Sequence, residues 1–83
     1  MTLSEESRDR LKELAEGYEA AAFAEQLVMD GLAVYRDKFL DNDRDPFTMR
    51  CLRIYNDAQT NRRNYSKDAI AVREALEILN GIL

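Results

Sequence analysis

From Phe47 to the end of the chain, eleven positions recur at one helical spacing. They are Phe47, Cys51, Ile54, Ala58, Asn61, Tyr65, Ala69, Val72, Leu76, Leu79 and Leu83. The steps between them are threes and fours, and at about 100° per residue they fall in one narrow stripe. Only Asn61 interrupts its apolar character. No Gly or Pro occurs between Phe47 and Asn80. A pattern of this length excludes a sheet, whose side chains alternate with period two, and predicts a long helix with a packing seam.

The ends of that helix are marked. The cluster Asp41-Asn42-Asp43-Arg44-Asp45 is the strongest turn signal in the chain. Asp45 is a good N-cap, and Pro46 then takes the first helical position, where its missing N–H costs nothing. Asn80-Gly81 reads as a C-cap pair. The expected helix is therefore about 46–80.

The first half carries a second seam: Leu11, Ala15, Tyr18, Ala22, Glu25, Met29, Leu32, Arg36 and Phe39. Thr2-Leu3-Ser4-Glu5 fits a capping box, with Ser4 as the alternative N-cap. Glu5, Glu6 and Asp9 suit the positive end of a helix dipole. A helix over about 3–40 follows. Breaks, where there are any, are expected near Gly17, since an interior glycine costs about 1 kcal/mol against alanine, or across Asn61–Ser66, where Asn61, Asn64 and Ser66 are poor helix formers.

Folding the chain at residues 41–45 brings the two seams together in one antiparallel register. Met29 then meets Ala58, Tyr18 meets Ala69, Asn61 meets Glu25, and Leu83 meets Leu3. Large residues face small ones, as interdigitated packing requires, and the polar pair Asn61–Glu25 would specify register at some cost in stability. Arg63, Lys67 and Arg73 fall near Glu19, Glu16 and Glu13. The fold class expected is all-α: a single domain, 1–83, forming an antiparallel helical hairpin of coiled-coil character.

Charge and cysteine usage narrow the function. Residues 1–45 carry twelve acidic and six basic side chains, and residues 46–83 carry four and six, so an acidic half precedes a slightly basic one. There is no His and one Cys. An internal disulfide and a Cys/His metal site are thereby excluded. Cys51 lies on the apolar stripe and reads as a small core residue, since no His is available as its base. Asp41-x-Asp43-x-Asp45 resembles the opening of a calcium loop, but Pro46 stands where that loop needs Gly and Leu52 where it needs Glu. No Gly-rich phosphate loop, nucleophile elbow or metal-ligand spacing occurs. The expectation is a protein that is not an enzyme and uses no cofactor. No apolar run is long enough to span a bilayer, and the acidic N-terminus lacks the apolar segment of a signal peptide. A cytoplasmic protein with no membrane partner is expected. No resemblance to a family is specific enough to name.

Surplus apolar surface is the most informative remainder. Beyond its seam the first helix carries Phe23, Leu27, Val28, Val34 and Tyr35, the second carries Met49, Leu52, Ile70, Ile78 and Ile82, and an isolated hairpin buries only one stripe per helix. Phe23, Leu27, Val34 and Tyr35 are the candidate partner-binding residues. The expected partner is a second copy, giving a homodimeric helical bundle, together with another protein, in the manner of an adaptor, chaperone or inhibitor. The alternative is a nucleic-acid-binding dimer that uses a basic face on the second helix: Arg50, Arg53, Arg62, Arg63 and Lys67. Intramolecular pairing of that face with Glu16 and Glu19 is the plainer account of those charges.

Overall fold

The computed structural model describes residues 4–82. It contains two helices, α1 (Glu5–Leu40) and α2 (Pro46–Ile82), packed against each other as an antiparallel hairpin. Its extents are 59 × 16 × 14 Å, the dimensions of a rod about 37 residues long at 1.5 Å per residue. Both helices are continuous. Gly17, Gly31 and Asn61–Ser66 all lie inside them without a break. Gly81 is helical too, so the expected Asn80-Gly81 cap does not terminate α2 among the described residues. No described helix is long and apolar enough to cross a membrane.

The caps explain where the helices start and turn. Ser4 is the N-cap of α1, and its hydroxyl oxygen accepts from the Ser7 backbone N–H at 3.1 Å. Thr2, Leu3 and Leu83 lie outside the described residues. At the other end Asp41 caps α1, and Asn42 follows with φ 71°, a left-handed conformation that Asn tolerates. The Asn42 N–H donates to the Phe39 carbonyl and the Asp43 N–H to the Lys38 carbonyl, the paired bonds of a Schellman ending with Asn in place of Gly. Asp45 caps α2 as expected. Its carboxylate accepts from the N–H groups of Phe47 and Thr48 and from the Thr48 hydroxyl. These bonds, the Thr48 hydroxyl first, hold the Asp45 carboxyl below its ordinary value.

The seam obeys a stricter repeat than the apolar stripe of α2 suggests. Every buried residue among those described falls on two heptad positions of its helix. In α1 these are Ala15 and Met29, flanked at the same spacing by half-buried Leu11, Tyr18, Ala22, Glu25, Leu32 and Phe39. In α2 they are Thr48, Cys51, Tyr55, Ala58, Ala69 and Leu76, with Tyr65 and Val72 half-buried. This repeat of 3.5 residues keeps two long helices in contact along their whole length. The apolar stripe of α2 instead advances by 3.6, the period of a straight helix, and the two drift apart by about 20° per heptad. Phe47, Ile54 and Asn61 therefore miss the seam by one residue and stand exposed, while Thr48 and Tyr55 take the buried places.

Contacts across the seam fix the register. Met29, Tyr55 and Ala58 form a buried cluster with Leu32 packed against it, so Met29 and Ala58 meet as the sequence predicts. Tyr18 stacks on Tyr65 at 6.4 Å between ring centroids, one turn from the expected neighbour Ala69. Arg36 donates to the Tyr55 hydroxyl oxygen at 3.0 Å, and its guanidinium lies 5.4 Å from the centre of that ring. The expected Asn61–Glu25 pair is not formed: Asn61 faces solvent and no hydrogen bond joins the two.

Candidate interaction surfaces

The hairpin presents two unlike outer faces, because each helix places one stripe in the seam and turns the opposite one away from it. On α1 the outward stripe is apolar. Phe23 is 65% exposed, Leu27 55% and Val34 54%. They lie among Gly17, Ala20, Ala24 and Gly31, all exposed. Tyr35, the fourth residue singled out in the sequence, is half-buried and engaged within the chain. Its ring meets Phe47 edge-to-face at 5.3 Å, and the Lys38 ammonium lies 5.2 Å above it. Tyr35 thus borders the apolar face. It also supplies the cover that Phe47 lacks from the seam.

The outer half of α2 is mixed: Arg50, Arg53, Arg63 and Lys67 stand there beside exposed Met49, Ile70 and Ile78, while Arg62 falls on the seam repeat between Ala58 and Tyr65 and is exposed there. Arg50, Arg53, Arg62, Arg63 and Lys67 are all exposed, and none makes an ion pair among the described residues. The expected pairing of Arg63 and Lys67 with Glu19 and Glu16 is not formed. Glu19 is taken instead by Arg73, through two hydrogen bonds at 3.0 and 2.5 Å. These bonds, before the charge itself, hold the Glu19 carboxyl below its ordinary value. Arg73 lies ten residues, nearly three turns, beyond Arg63 along α2.

One shallow groove is lined by Glu19, Ala22, Ser66, Ala69, Ile70 and Arg73, and another by Pro46, Met49, Arg50 and Arg53. No cluster of three metal-ligating side chains occurs among the described residues. The carboxylates of the turn serve the backbone: Asp43 accepts from the Asp45 N–H, and Asp45 caps α2. Cys51 is a free, buried thiol in the seam.

Comparison with protein-family models, curated proteins and solved structures returns no match. The two faces therefore carry the functional argument on their own chemistry.

Proposed function

We propose that the chain is a non-catalytic, cytoplasmic protein-binding module whose working surface is the outer face of α1. One observation carries this reading. The chain buries its seam yet leaves Phe23, Leu27 and Val34 more than half exposed on a single stripe. Apolar side chains grouped in this way, on a domain with a thin core, mark an interaction site rather than scattered surface residues. The role fits an adaptor, chaperone or inhibitor, which needs a rigid face and no reacting group. The test is capture from a lysate of the source organism with the wild-type chain and with Leu27→Glu as baits. A protein held by the wild type and lost with the variant supports the reading. Equal retention by both removes the α1 face as the binding surface.

A second reading, nucleic-acid binding, gains support from the unpaired state of Arg50, Arg53, Arg62, Arg63 and Lys67. Four of them, all but Arg62, lie on the outer half of α2, and solvated cations along one side of a helix are an electrostatic footprint for phosphates. Asp57 and Asp68 interrupt it, and the chain as a whole carries −4. A salt titration separates the readings. Affinity for nucleic acid falls log-linearly with salt as counterions are released, whereas docking on the α1 face changes little.

A further inference from the structure

The geometry points to one occupant for the α1 face: the same face of a second copy, packed antiparallel about a two-fold axis near Ala24–Leu27. This rests on the reading of that face as a protein-binding surface and adds the partner and the register.

Three observations lead to it. The first is that the outer face has a seam of its own. Glu13, Gly17, Ala20, Ala24, Leu27, Gly31, Val34 and Lys38 follow each other by fours and threes on the side of α1 away from α2, and all are exposed. This is the 3.5-residue repeat of the inner seam, used a second time and left uncovered.

The second is that this track complements itself. In an antiparallel pair, facing positions have numbers with a constant sum, and a sum of 51 centres the track. Val34 then faces Gly17 of the partner subunit, and Leu27 faces Ala24 of the partner subunit. Each large side chain meets a small one, which lets two helices approach closely and interdigitate. The remaining layer, Ala20 against Gly31 of the partner subunit, is small on both sides and lies beside Phe23, the bulkiest side chain of the face. At either end Glu13 faces Lys38 of the partner subunit. A parallel pairing would instead set Glu13 against its own copy, so charge selects the antiparallel arrangement.

The third observation concerns the glycines. A Cβ added at Gly17 or Gly31 would meet nothing within 4 Å. Nothing inside the hairpin asks for glycine there, although each costs about 1 kcal/mol in a helix interior. An approaching helix does ask for it.

The area suits a reversible association. The track spans roughly 38 Å at 1.5 Å per residue and is one helix, about 10 Å, wide. That gives about 800 Å² over both subunits, below the standard size for stable complexes. A dimer in the micromolar range or weaker follows, not an obligate one.

Sedimentation equilibrium on the purified chain, from low micromolar to submillimolar concentration, tests the proposal. The variants are Glu13→Lys, Lys38→Glu, the double exchange, and Gly17→Leu. The wild type is expected to rise from 9.6 kDa toward twice that mass. Each single charge reversal should weaken association about 10-fold, because two exposed pairs per dimer turn from attraction to repulsion. The double exchange should restore it. Gly17→Leu should keep wild-type helicity and lose the dimer, since its side chain enters open space in the monomer but meets Val34 of the partner subunit in the dimer, and an undiminished dimer overturns the register. If the wild type dimerises but the double exchange stays as weak as the singles, the register is overturned while the α1 face stands as a binding surface. If the wild type remains at monomer mass throughout, the second copy is overturned as the occupant. The lysate capture with Leu27→Glu then decides, separately, whether the face binds another protein.

Discussion

Tyr55→Ala and Ile54→Ala, adjacent positions in α2, should differ several-fold in their cost to stability. Tyr55 is 8% exposed and Ile54 43%. Truncating a buried aromatic residue costs about 3–5 kcal/mol through lost transfer energy and the cavity left behind. Tyr55 packs against Met29 and Ala58 on a rod with open flanks, where neighbours can relax, so the low end, about 3 kcal/mol, is expected. Fully burying an isoleucine stabilises by about 1.5–3 kcal/mol, and Ile54 achieves roughly half of that. Alanine's better helix propensity returns a few tenths of a kcal/mol. The net cost at Ile54 is then about 0.5–1 kcal/mol. Urea unfolding followed by circular dichroism reads both values. With a slope near 1 kcal/mol/M for a chain of this size, the midpoint should fall by about 3 M for Tyr55→Ala and by less than 1 M for Ile54→Ala. Measurement at low concentration keeps association out of the result. Equal costs, or a larger cost at Ile54, would refute the heptad seam and restore the straight-helix stripe.

Asn61→Leu should leave stability within about 0.5 kcal/mol of wild type, as exposed substitutions generally do; a large gain in the same urea titration would put Asn61 in the seam. Gly17→Ala and Gly31→Ala should each stabilise the monomer by about 1 kcal/mol, because helix propensity improves and the added methyl meets nothing; thermal melts of dilute protein check this. Acid should weaken the hairpin through Glu19 and Asp45. Both carboxyls are lowered in the folded state from ordinary values of 4.5 and 3.8. Their stabilisation is therefore present above those values and is lost as pH falls through the lower folded ones. Arg73→Gln and Asp45→Asn should each flatten the fall in urea midpoint between neutral and strongly acidic pH.

The turn, the caps at Ser4 and Asp45, the helical class and the contact of Met29 with Ala58 are legible in the residues, because each rests on a local rule. The seam of α1 is legible for the same reason: Leu11 to Phe39 already recurs every 3.5 residues. The α2 seam is harder to read. Phe47 and Ile54 are apolar, whereas their buried neighbours are a threonine and a tyrosine, so a search for apolar spacing selects the wrong member of each pair. Thr48 is 1% exposed because its hydroxyl is satisfied by Asp45 within the same turn, which the spacing of apolar residues does not reveal. The available signal was the period of α1, since two helices in contact over their whole length must share one repeat. The exposed stripe of Phe23, Leu27 and Val34 follows directly from composition. The free state of the α2 cations does not, because ion pairing depends on which flank each side chain occupies once the helices coil.

The turn at residues 41–45 is the only covalent link between the helices, and it holds the densest set of caps in the chain. This arrangement sets the order of folding. Close to the turn, Tyr35 and Phe47 close a loop of about a dozen residues, whereas Tyr18 and Tyr65 are separated by nearly fifty. Closure entropy grows with loop length, so the distant pair forms at low cost only after the nearer layers have closed. The hairpin should assemble as a zipper from the turn and open from the far end. Substitutions around Asp45 and Thr48 would then slow folding, while those at Ala15 or Leu76 would chiefly speed unfolding.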